Sequence, residues 1–111
     1  MSRRFCVFLL LLVTCGFAVA GPTPEREREL VHLVRQDCGS CHGLTLKGGI
    51  GPSLLPEALR DKSVDGLRYT VLMGRPGTAM PPWKAFLTDD EAAWIVHQLM
   101  IGFPQEGSVS K

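Results

Sequence analysis

Two cysteines and a histidine within five residues, Cys38-Gly39-Ser40-Cys41-His42, constrain this chain more than any other stretch of its sequence. Two intervening residues let a single turn of chain bring both sulfurs to neighbouring positions, and a histidine directly after the second is held beside them. A C-x-x-C-H run of this kind is the pattern of covalent haem c attachment, in which both thiols become thioethers and the histidine ligates iron. Two other chemistries use related spacings. A thioredoxin-like redox dithiol needs a strand before the motif and a βαβ surround, whereas the residues ahead of Cys38 read as helix. A structural zinc site would take Cys38, Cys41 and His42 as three ligands, but no second C-x-x-C or H-x-x-H pair follows to complete it.

The start of the chain bears on which chemistry is available. Arg3 and Arg4 precede an almost unbroken apolar run from Phe5 to Ala20, closed by the small-residue triplet Ala18-Val19-Ala20. A basic start, an apolar stretch too short and wrongly flanked to span a membrane, and a small-residue end are the marks of a secretory signal over residues 1–20, with cleavage after Ala20. The expected destination is the periplasm. Lipid anchoring at Cys15 is the rival, since Leu12-Val13-Thr14-Cys15-Gly16 resembles a lipobox, with Thr14 where Gly, Ala or Ser is usual. Four cysteines in a small exported protein would suggest two disulfides, yet Cys6 and Cys15 leave with the signal. The expected mature chain, residues 21–111, holds 10 basic against 11 acidic residues, a net charge of −1. That length accommodates one small domain and excludes a two-domain enzyme, and the charge argues against a polybasic nucleic-acid binder.

Along the mature chain the patterning is helical throughout. Thr23 as N-cap, Pro24 at the first helical position and Glu25, Glu27 and Glu29 near the positive end predict a helix from Pro24 to about Asp37. Leu30, Val34 and Cys38 recur at i, i+4, so this helix is expected to deliver the first thiol on its buried side. Residues 43–53 hold four glycines and a proline and read as loop. A short helical turn is expected from Pro56 and a longer helix from Val64 to Met73, with Ser63 as N-cap, Gly74 just beyond, and Leu67 and Val71 on its inner side. Arg75 to Trp83 carries three prolines and a glycine, which forbid regular structure and make a stiff loop. Thr88-Asp89-Asp90-Glu91 is a capping box opening the last helix, with Ala92, Ile95 and Leu99 on one face and Gly102 and Pro104 at its end. Gln105 to Lys111 reads as a polar, frayed tail.

These motifs together resemble the class I cytochromes c over residues 24–102. The resemblance rests on Cys38 to His42, Gly51-Pro52-Ser53-Leu54, Met80-Pro81 and the helix from Thr88 to Met100. It implies an all-α fold of three to four helices wrapped around one covalently bound haem. It also implies His42 as the proximal iron ligand, Met80 as the distal ligand, and the carbonyl of Pro52 as acceptor of a hydrogen bond from the His42 imidazole. Arg75 to Lys84 with the following Leu-Thr-Asp-Asp-Glu is further similar to the small periplasmic cytochromes encoded beside cytochrome cd-type nitrite reductase, and to the cytochrome domain of that reductase. One departure concerns the late aromatic of the terminal helix, which is replaced at Gln98, with Trp94 one turn earlier, and this bears on how the first and last helices cross.

The residues themselves support Met80 independently, because prolines limit how a thioether can retreat from iron, and a Met/His pair raises the reduction potential. Met73 and Met100 fall on helices near apolar faces and read as packing residues. His32 and His97 are flanked by helical residues and read as surface histidines. Trp83 has two readings, a lid over the cofactor edge with its indole N–H on a haem propionate, or a half-buried loop anchor. Lys84, Arg60, Arg68 and Arg75 suit propionates, a partner, or a solvated surface. With both axial positions filled, the expectation is a monomeric one-electron carrier with no bond-making chemistry and no membrane span after signal removal. Redox proteins, nitrite reductase among them, are the expected partners, met through an edge around Gly39 and Ser40 and a Pro81-Pro82 lip. The alternatives are an accessory role in maturing the d-type haem of nitrite reductase, and a small ligand-binding or peroxidatic haem protein.

Overall fold

Thr23 opens the fold by accepting a hydrogen bond from the Arg26 N–H through its side-chain oxygen, at 3.2 Å, which caps α1, Pro24–Leu33. This satisfies one of the orphan amides of a helix start, while Pro24 needs no partner there. The computed structural model describes Gly16 and residues 21–109; the expected signal, with Cys6 and Cys15, otherwise lies outside the described residues. The first helix does not stop near Asp37. It widens into a π-helical turn, Val34–Cys38, and resumes as α2, Gly39–His42, so that one helical run carries the whole cysteine motif. Leu30 and Val34 are fully buried, each contributing about 1.5–3 kcal/mol to burial of the core.

Three further helices close around that run: α3, Pro56–Leu59, α4, Val64–Met73, and α5, Asp89–Ile101. The described residues contain no strand, in keeping with the all-α expectation. Ser63 caps α4 by accepting from Gly66 N–H at 3.0 Å, and both halves of the Thr88/Glu91 capping box are formed on α5. Leu59 of α3, Leu72 of α4, and Ile95 and Leu99 of α5 pack on Leu30 and Val34 in one core. The buried residue of α4 is Leu72, with Leu67 and Val71 half-buried beside it. Met73, one position on, is turned outward and 43% exposed, so it is not the packing residue expected; Met100 does pack against the core.

The Glu91 carboxylate also fixes the crossing of the first and last helices. One of its oxygens accepts from the Thr88 N–H and the other from the Arg26 Nε–H, so the group that caps α5 also grips α1. Trp94 meets Phe103 edge to face, with centroids 6.3 Å apart, supplying an aromatic contact beyond the helix end. Phe103 and Pro104 in turn lie under Arg35, and His32 Nδ1 sits 2.8 Å from Glu106. The chain after α5 is therefore docked on the first helix through Glu106, where a frayed tail from Gln105 was expected. Local composition suggested fraying because the anchors are some 70 positions away.

Candidate functional site

The motif and the glycine-rich loop that follows it form one hydrogen-bonded unit. Gly48 N–H donates to the His42 carbonyl and Gly51 N–H to the Cys41 carbonyl, both at 2.8 Å, folding the loop back over α2. Leu46, buried and in the left-handed region with φ of 62°, anchors the loop, its carbonyl accepting from Leu54 N–H at 2.9 Å. A leucine there costs about 1–2 kcal/mol of backbone strain, offset by its burial.

The loop lays Gly51 flat against the His42 imidazole. A Cβ on Gly51 would lie 2.7 Å from two ring atoms, so only glycine permits this approach. Beyond it, His42 Nδ1 lies 2.7 Å from the Pro52 carbonyl oxygen. A carbonyl only accepts, so Nδ1 carries the proton and the neutral ring keeps its lone pair on Nε2. This is the tautomer an iron ligand requires, with the orienting partner such ligands ordinarily have.

Cys38 and Cys41 are both free and half-buried, and Cys38 packs against the hydrophobic core. Burial, reinforced by the Asp37 charge, pushes the Cys38 thiol up to about 11. A redox dithiol relies on the opposite shift, and the motif is preceded by helix, not by the strand that chemistry calls for. Among the described residues no three His, Cys, Asp or Glu side chains converge as a metal cluster, which leaves the zinc alternative without support. Two free thiols on one helical run, with an imidazole directly after the second whose Nε2 is free, fit haem c. Gly39 is buried against Leu44, so only Ser40 of the expected exposed edge faces outward, its hydroxyl donating to the Asp37 carbonyl.

Met80 is half-buried on the loop after α4. Gly74, with φ of 69°, ends that helix, and a Cβ there would meet the Met80 carbonyl oxygen at 2.7 Å and the Pro81-Pro82 peptide at 2.8 Å. The Met-Pro segment thus lies directly on the helix end. Arg75 N–H donates to the Met80 carbonyl at 3.1 Å, and Trp83 and Lys84 N–H groups donate to Val71 and Leu72 carbonyls at 3.1 Å, satisfying acceptors a helix C-terminus leaves open. Pro81 and Pro82 are exposed, while Trp83 is half-buried against the same core as Cys38 and edge-on to Phe86. His32 and His97 are exposed on the outer faces of α1 and α5.

Residues 25–97 match the family described as cytochrome c oxidase, cbb3-type, subunit III. The chain belongs to this family of c-type cytochromes. Cytochrome c55X of Pseudomonas aeruginosa is 55% identical over 91% of this chain and 87% of its own, and that of Paracoccus denitrificans 52% identical over 83% and 90%. Among solved structures, the c-type cytochrome NirC superposes with a TM-score of 0.71 at 52% identity, covering 81% of this chain and all of that one. A dihydro-heme d1 dehydrogenase of Pseudomonas aeruginosa is 40% identical over 93% of this chain but only 20% of its own length. As a c-type cytochrome, the protein is an electron-transfer protein with covalently bound haem c, and Cys38 and Cys41 fit that attachment. The cytochrome has no described helix long and apolar enough to cross a membrane.

Sequence reasoning singled out Cys38, Cys41, His42, Pro52, Met80 and Trp83, and the fold ties the first four into one unit. It missed Gly51 as the seat of the imidazole, although a glycine directly before the proline was signal enough, and it missed Arg35, for which no local signal exists.

Proposed function

We propose that this cytochrome works in the periplasm after loss of residues 1–20, as a monomeric one-electron donor to cd-type nitrite reductase in denitrification. Cys38 and Cys41 hold the haem as thioethers, His42 Nε2 is the proximal ligand and the Met80 thioether the distal one. The observation that carries the site is the His42 Nδ1 to Pro52 carbonyl bond, which fixes both tautomer and ring direction. Bound haem c supplies a one-electron iron couple. The chain's own part is positional: Gly51 and Pro52 orient the imidazole, Gly74 and the prolines confine Met80, and Trp83 offers an indole N–H for a propionate. The exposed Ser40 and the Pro81-Pro82 lip form a small contact surface for redox partners.

The nitrite-reductase link rests on the likeness of residues 75–91 to cytochromes of that system and on kinship with NirC. Likeness to the dihydro-heme d1 dehydrogenase favours a second reading, service in maturation of the d-type haem. Haem attachment is tested by a pyridine haemochrome spectrum of the purified protein beside its Cys38→Ala and Cys41→Ala variants. One haem per chain that survives acid-acetone extraction is expected; a haem-free, folded wild-type chain would overturn the assignment.

A further inference from the structure

Arg35 is the buried charged side chain of the described residues, 8% exposed, and the haem site as proposed makes no use of it. Among the described residues its hydrogen-bond partners include no carboxylate. Nε donates to the Pro104 carbonyl at 3.0 Å, Nη2 donates to the carbonyls of Phe103 at 2.8 Å and Pro104 at 2.9 Å, and the guanidinium lies 5.5 Å from the centre of the Phe103 ring. A planar fork over two consecutive carbonyls and an aromatic face is a geometry that arginine alone provides. The acceptors are available because Gly102, with φ of 112°, turns the chain out of α5 before them.

Arg35 is the second residue of the π-helical turn and Cys38 is its last. A π turn inserts one extra residue into a helix, and such turns occur frequently at functional sites. Relaxing it to α-helix would rotate the following residues by about 100° relative to those before. With Leu30 and Val34 fixed in the core, that rotation would fall on Cys41 and His42 and break the His42 to Pro52 bond. The turn therefore sets the direction in which the motif faces, and the clasp on Phe103 and Pro104 holds the turn.

We propose that Arg35 is a positioning residue for haem attachment, tying the π-helical turn that carries Cys38 to the chain after α5. This rests on Cys38 and Cys41 being the attachment sites. The test uses the full-length chain, produced with a haem-attachment system, as wild type, Arg35→Gln and Arg35→Lys, with covalent haem read by mass spectrometry and amide exchange read by segment. Both variants are expected to carry several-fold less covalent haem. Amides of residues 39–42, which lie in the helical run, should exchange about tenfold faster, with α4 unchanged, as loss of hydrogen bonds to a charged group implies. Equal acceleration in α4 would mean a general loss of stability and overturn the positioning role. A Lys variant with wild-type attachment would also overturn it, because charge without the fork would then suffice. A wild-type chain without covalent haem would instead overturn the attachment sites themselves.

Discussion

At the scale of single residues, the site depends on side chains that are absent as much as on those present. Gly51 exposes the face on which the His42 ring rests, and the ring cannot yield without leaving the Pro52 carbonyl. Gly51→Ala should therefore cost about 1–3 kcal/mol of stability by overpacking, read by denaturant unfolding, and should alter the absorption spectrum of the haem protein. A variant with unchanged spectrum and stability would show that the ring has room the geometry denies it. Met80 makes a separate prediction. Met80→Ala should erase the weak sulfur-to-iron band of the oxidised protein, lower the reduction potential and admit cyanide or carbon monoxide. An unaltered band would transfer the ligand role to another residue, and the exposed Met73 would be the first to test.

At the scale of elements, helix starts were legible because their signals are local. Thr23-Pro24, Ser63 and the Thr88 to Glu91 box each bind amides within three residues, and each caps the helix expected of it. The π turn was not legible, because the i, i+4 spacing of Leu30, Val34 and Cys38 fits either helix type and the partners that Arg35 of the turn clasps lie 68 and 69 positions later. The capping box gives two predictions. Thr88→Ala should destabilise the protein by about 1 kcal/mol, measured by thermal or denaturant unfolding. Burial raises the Glu91 carboxyl, but hydrogen bonds from Arg26 and Thr88 outweigh it, leaving the group below its ordinary 4.5. Above that value the ionised Glu91 contributes its full stabilisation, which is lost as pH falls through the lower folded-state value. Glu91→Gln should thus cost about 0.5–1 kcal/mol near neutral pH and show a shallower loss of stability on acidification. Parallel acid limbs for the variant and wild type would exclude Glu91 as the titrating group.

At the scale of the whole molecule, the fold class could be read from caps and periodicity, and the haem motif from five residues. What the sequence concealed is tertiary: the docking of residues 103–106 on the first helix, and the burial of Gly39 beneath Leu44. The second withdraws Gly39 from the proposed contact surface, where Ser40, the Pro81-Pro82 lip and the Leu44 side chain that covers Gly39 are exposed. A small contact surface of this kind, as proposed, suits weak redox encounters, which generally bury less than about 1,200 Å² and dissociate quickly enough for repeated turnover. The expected mature charge of −1, made more negative by two propionates, supplies little long-range steering, so the rate of electron transfer should depend only shallowly on ionic strength. Rapid mixing of the reduced cytochrome with oxidised cd-type nitrite reductase over a salt series measures both quantities at once. Transfer on the timescale of nitrite turnover with a shallow salt slope is the expected outcome. Absence of transfer, together with normal d-type haem content only when this cytochrome is present, would move the assignment to cofactor maturation. A steep slope with fast transfer would keep the donor role but place the contact on a charged surface, away from the proline lip.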